Sequence, residues 1–185
     1  MGISHSQRMD EAGRFFEKIR QAEIDYANYW YENTLWEWDF WLSVSISLGS
    51  WIIWFIFRKR GSEGRLLLAG MFVLFIAYVL DFIGVIMGFW IYTGKVIPII
   101  PADIPWDASL IPVTVMLWLQ YKPGWNPMLK AVIYSALTSF VGEPLFEWLG
   151  LYYSKNWIPF YSFPIYIMIY LLAHRISRSK SFDPI

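Results

Sequence analysis

From Trp41 to Arg175 the chain is a succession of long apolar runs separated by short polar breaks, and charged residues are sparse within the runs. Their apolar residues are near-continuous, not in the alternation of a half-buried helix or strand. They read as segments that cross a bilayer, where a helix is the one way for a single segment to satisfy its own backbone. Hydrophobic residues are 57% of 185 and charged residues only 16%, which sets an ordinary soluble domain aside. Spans are predicted at about 42–57, 66–92, 107–121, 128–152 and 157–175. Five of them at about 20 residues each leave no room for a second domain.

The expected fold is therefore all-α: an integral membrane bundle of five transmembrane helices behind an amphipathic, interfacial N-terminal helix. Residues 1–40 form an acidic arm, 41–176 the transmembrane domain and 177–185 a short basic tail. Residues 7–40 have a lone Gly13 and no proline, and the arm leads into an aromatic belt of Tyr26, Tyr29, Trp30, Tyr31, Trp36, Trp38 and Trp41 suited to headgroup depth. No basic-then-apolar leader precedes the first run, so that run is expected to be retained as a span.

Charge is zero in sum but segregated. Residues 1–40 hold eight acids against four Lys/Arg, whereas Arg58, Lys59, Arg60 and Arg65 crowd one short loop. Lys122, Lys130, Arg175, Arg178 and Lys180 fall on the same side if the spans number five. The excess places the N-terminus outside and the C-terminus in the cytoplasm of what is expected to be a bacterial cell membrane. A nucleic-acid partner does not follow from such segregation. With no cysteine, and with only His5 and His174 as imidazoles, thiolate sites, thiol nucleophiles and histidine metal centres have nothing to build on. Neither metal nor cofactor is expected.

Against that background the acids inside the runs stand out, because ionisable groups are costly in hydrocarbon and mark sites by default. Asp81 lies in the second span, Glu143 and Glu147 in the fourth. Asp81 and Glu143 are each about fifteen residues into their runs, hence at one depth, roughly 22 Å from the cytoplasmic boundary. Ser135, Ser139, Glu143 and Glu147 recur every four residues, a polar stripe expected to face the bundle interior. Pro144 removes a helical donor and bends this helix. Between Val96 and Pro112 four prolines deny a continuous helix, and Asp103 and Asp107 in this cap could close over the same space. Gly84 and Gly88 permit close packing of the second span.

These residues define an expected pocket: Asp81, Glu143 and Glu147 as catalytic acids, with Asp103, Asp107, Ser139, Trp118, Phe146 and Tyr166 around the substrate. A carboxyl shielded from water holds a proton more readily, and aromatic faces stabilise positive charge. The leading expectation is a membrane-embedded acid catalyst, a cyclase or isomerase acting on an isoprenoid or other lipid-like substrate. The alternatives are a proton- or cation-coupled transporter or channel component and a lipid- or small-molecule-binding membrane protein, any of them a possible homo-oligomer. A purely structural role, carboxyls gluing helices together, is the bland reading.

Asp81, the proline-rich stretch with Asp103 and Asp107, Gln120-Tyr121, and Glu143-Pro144-Leu145-Phe146-Glu147 together resemble the uncharacterised small five-span membrane proteins common in spore-forming Firmicutes. The resemblance covers about residues 66–175 and implies membrane location and topology only.

Overall fold

A computed structural model describes residues 4–179; the end of the basic tail, Lys180 included, lies outside the described residues. The protein is mostly helical. Ser4 and Gln7 cap the first helix reciprocally, side chain to backbone in both directions, and start α1, His5–Asn33. No residue of α1 is buried. Its far end is tied down where the Trp30 indole N–H donates to the Lys95 carbonyl at 2.7 Å.

A tight turn, with Trp36 at φ 72°, leads into α2, Trp38–Phe57. Helix α2 is inverted relative to a soluble helix: it buries Ser43, Ser47 and Ser50 and exposes Leu48, Ile52, Ile53 and Ile56. Ser47 and Ser50 donate back to the carbonyls of Ser43 and Ile46, both at 2.7 Å, so their hydroxyls need no water. Helix α3, Glu63–Ile86, buries Leu66, Ala69, Gly70, Val73, Ala77, Asp81 and Gly84, one face at steps of three and four. Among the described residues, helices α2 and α3 are the two long and apolar enough to cross a membrane.

The second and fourth predicted spans end earlier than expected, and the cause is the same in both. Gly88 and Gly150 take left-handed φ of 70° and 71°. The N–H groups of Phe89 and Leu151 then close on the carbonyls of Gly84 and Phe146, while Gly88 and Gly150 close on Val85 and Glu147. This paired bonding stops a helix by satisfying its last carbonyls. The segments beyond, β1 (Trp90–Tyr92) and β2 (Tyr152–Ser154), pair antiparallel with Ile91 opposite Tyr153. A two-stranded clasp thus joins the ends of two helices where the sequence predicted continuous helix.

Residues 104–148 form two rods, each interrupted by a wide turn. In the first, a π-helical turn over Ile104–Leu110 runs into α4, Ile111–Gln120. In the second, α5 (Pro127–Leu137) passes through a π-helical turn over Thr138–Gly142 into α6, Glu143–Trp148. Each wide turn closes on the residue just before a proline: Ile111 N–H reaches Trp106 O, and Glu143 N–H reaches Thr138 O. Pro112 and Pro144 offer no N–H to the carbonyl four residues back, and the helix absorbs an extra residue instead. The carbonyl that Pro112 abandons, on Ala108, accepts from the Trp51 indole at 3.1 Å. Helix α7, Pro159–Ser177, packs against α3 and α5.

Candidate functional site

Helices α3, α6 and α7, the π-helical turn before α4 and the β1–β2 clasp enclose a chamber of about 160 Å³. Three carboxyl groups line it, Asp81, Asp107 and Glu143, at 4%, 3% and 8% exposure. The rest of the wall is largely aromatic, including Phe89, Trp90, Trp106, Phe146, Trp157 and Tyr166.

Asp81 is held from the clasp. Its Oδ1 accepts from the Trp90 indole at 2.7 Å and from the Tyr92 hydroxyl at 2.6 Å. Trp90 can approach because Gly84 has no side chain. No N–H or O–H group of the described residues serves the buried Oδ2. Asp107 neighbours the Asp81 carboxyl, and a hydrogen bond between two carboxyls needs a proton on one of them.

Asp103 and Asp107 fix the start of the rod reciprocally. Asp103 Oδ2 accepts from Trp106 N–H at 3.1 Å, and Asp107 Oδ2 accepts from Asp103 N–H at 3.0 Å. Burial pushes the Asp103 carboxyl up to about 7, against the Trp106 N–H and the Lys95 charge, which pull it down. Lys95, 7% exposed, sends its Nζ to the carbonyls of Ile100 and Pro101. Desolvation lowers its pKa.

Glu143 is held by two donor chains. The Trp157 indole donates to Ser162 Oγ at 2.8 Å, and the Trp106 indole to the Tyr166 hydroxyl at 3.1 Å. An indole N–H only donates, so each hydroxyl accepts there and turns its own proton to Glu143, with which both hydrogen bond. Gly142 makes room for the Trp106 ring, whose nearest atom would lie 2.9 Å from an added Cβ.

Of the residues expected from the sequence, Asp81, Asp107, Glu143, Phe146 and Tyr166 meet at the chamber. Asp103 lies one hydrogen bond behind Asp107 and supports it. Ser139 is buried with no partner for its Oγ among the described residues, away from the chamber wall. Glu147 does not join: it is exposed, because the buried face of the rod steps from Glu143 to Phe146. Nor does Trp118, which lines a separate apolar groove of about 810 Å³ and donates to the Lys130 carbonyl at 3.0 Å. The groove and the chamber share Trp106, Ile111 and Phe146 as a common wall.

Sequence reasoning missed Tyr92 and Ser162 and gave Trp106 and Trp157 no place in the pocket. The signal for Trp90 and Tyr92 lay in Gly88, a helix stop just before two aromatic residues spaced to share one face of a strand. Among the described residues the ion pairs join Arg20 to Glu17 and Arg58 to Glu63, both remote from the chamber. No basic group stands within 4 Å of its three acids.

Together these features define a helical protein with two membrane-length apolar helices and a buried, aromatic-walled carboxyl chamber. No protein-family model, curated protein or solved structure matches the chain.

Proposed function

We propose that the chain is an integral membrane protein of five crossings, N-terminus outside, whose chamber takes up a small organic cation in exchange with protons. Membrane embedding is supported by the inverted burial pattern. Serines, acids and Lys130 lie inside, while Leu, Ile and Phe side chains of α2, α3, α5 and α7 face outward. The five rods are α2, α3, residues 104–120, residues 127–148 and α7, each about 25–36 Å long by helical rise.

The observation that carries the reading is the charge imbalance: three carboxyls face one aromatic-walled space, none of them ion-paired among the described residues, with Lys95 as the one base that acts on Asp81 and Asp107, from beyond 4 Å. Buried negative charge in hydrocarbon must be protonated or paired, and aromatic faces add attraction for an ammonium. The volume selects size. At about 160 Å³ the chamber matches the roughly 150 Å³ that accommodates benzene, so an aromatic amine or a small quaternary ammonium fits and a whole isoprenoid does not. Purified protein in nanodiscs should bind benzylamine and tetramethylammonium with proton release, and bind benzyl alcohol far more weakly. Equal binding of the neutral analogue overturns the reading.

The groove favours a second reading. Its apolar walls open beside the chamber across Trp106 and Phe146, whose ring centroids are 4.5 Å apart. A lipid-like chain in the groove, with its end passed between these rings, would meet a carboxylic acid able to protonate an alkene. A modified lipid in cells producing the wild type but not Glu143→Gln supports this alternative; its absence removes it.

A further inference from the structure

The chamber is one of two spaces that meet at a single side chain. Beneath α1 lies a second hollow of about 690 Å³, bounded by the arm, the start of α2, strand β1 and the proline-rich loop. Its lining is more polar than the chamber's, with Glu23 and Asp39 as acids and Lys95 as the base. Tyr92 lines both spaces. Its ring packs on Tyr152 at 5.6 Å between centroids, and its hydroxyl reaches through to Asp81 at 2.6 Å.

Resting on the cation reading above, we propose that the hollow beneath α1 is the vestibule through which a small ammonium reaches the chamber, with Tyr92 as the movable partition. Glu23 and Asp39 outnumber Lys95 around the hollow, whose lining is therefore net negative and attractive to cations. Passage requires the Tyr92 hydroxyl to leave Asp81. An arriving primary ammonium replaces it as donor to the same carboxylate, and a quaternary ammonium replaces it as counter-charge, so the carboxylate is compensated before and after the step. The opposite boundary is built differently. There Trp106 and Phe146 present ring edges, and no carboxylate lines the groove beyond.

The chain has no cysteine, so single-cysteine variants label at one place. Asn33 lines the vestibule and Leu137 the groove. Benzylamine binding to the full-length protein in nanodiscs would be followed by stopped flow before and after labelling Asn33→Cys or Leu137→Cys with a bulky maleimide. Labelling at 33 should slow association and dissociation together by about tenfold or more, leaving the equilibrium constant within about twofold. Labelling at 137 should leave both rates unchanged. Tyr92→Ala should accelerate both rates. If the wild type binds benzylamine and only the label at 137 slows it, the route is overturned while the chamber reading stands. If the wild type does not bind benzylamine or tetramethylammonium, both fall.

Discussion

The indole of Trp90 occupies the space in which a side chain on Gly84 would stand: an added Cβ would lie 2.0 Å from the ring. The same indole donates to Asp81 at 2.7 Å, so a residue three positions along α3 from the carboxylate decides whether the carboxylate keeps its donor. Gly84→Ala should push the ring off its seat. Overpacking costs about 1–3 kcal/mol and an orphaned buried acceptor a similar amount. A fall of about 2–4 kcal/mol in denaturant stability is expected, with much less for Gly64→Ala, where nothing lies within 4 Å.

Glu143 and Glu147 are one turn apart and face different surroundings, the first buried among hydroxyls and the second exposed. Glu143→Gln should weaken benzylamine binding by about tenfold or more, consistent with the loss of one desolvated charge partner at 1.5–3 kcal/mol. Glu147→Gln should leave it within about twofold. Calorimetric titration of both variants decides whether the polar stripe or its buried part binds.

Pro144 creates the wide turn that ends at Glu143. In Pro144→Ala a regained N–H can bond Phe140 O, and the turn can relax to an α-helix, rotating one half of the rod against the other by about 100°. The variant should be as stable as wild type or more so, with unchanged helicity by circular dichroism, yet lose most cation affinity. Unchanged affinity would mean that the wide turn does not aim the acid.

Asp103 holds its proton to about pH 7 in the fold against an ordinary value near 3.8. The raised value means that folding favours the neutral form. Its contribution is fully present below about pH 4 and is lost as pH rises through about 7, up to about 4 kcal/mol in all. Thermal stability should therefore decline between about pH 4 and 7 and level off above. Asp103→Asn, neutral throughout, should remove most of that slope. An unaltered slope would assign it to another group.

Much of the architecture was legible. Apolar runs foretold a mostly helical fold, in which two of the described helices are long and apolar enough to cross a membrane, and Asp81 and Glu143, expected at one level, line one chamber. The errors were local. Glu147 was counted with Glu143 because a four-residue stripe was extended through Pro144 without asking where the buried face turns. Residues 90–92 and Tyr152 were read as the ends of helices because apolar aromatic residues suit either state. Gly88 and Gly150, the stops, act through backbone conformation and carry no hydrophobic signal.

What the sequence alone determined is set by properties of single segments: how long each apolar run is, where proline withholds a donor, and which few acids the runs contain. Tertiary structure decided the partners. Trp90 and Tyr92 of a strand serve Asp81 of a helix, Ser162 and Tyr166 of α7 serve Glu143 of α6, and Asp107 turns to Asp81. Those meetings depend on helix rotation, which a single extra residue in a turn resets, and hydropathy does not report rotation.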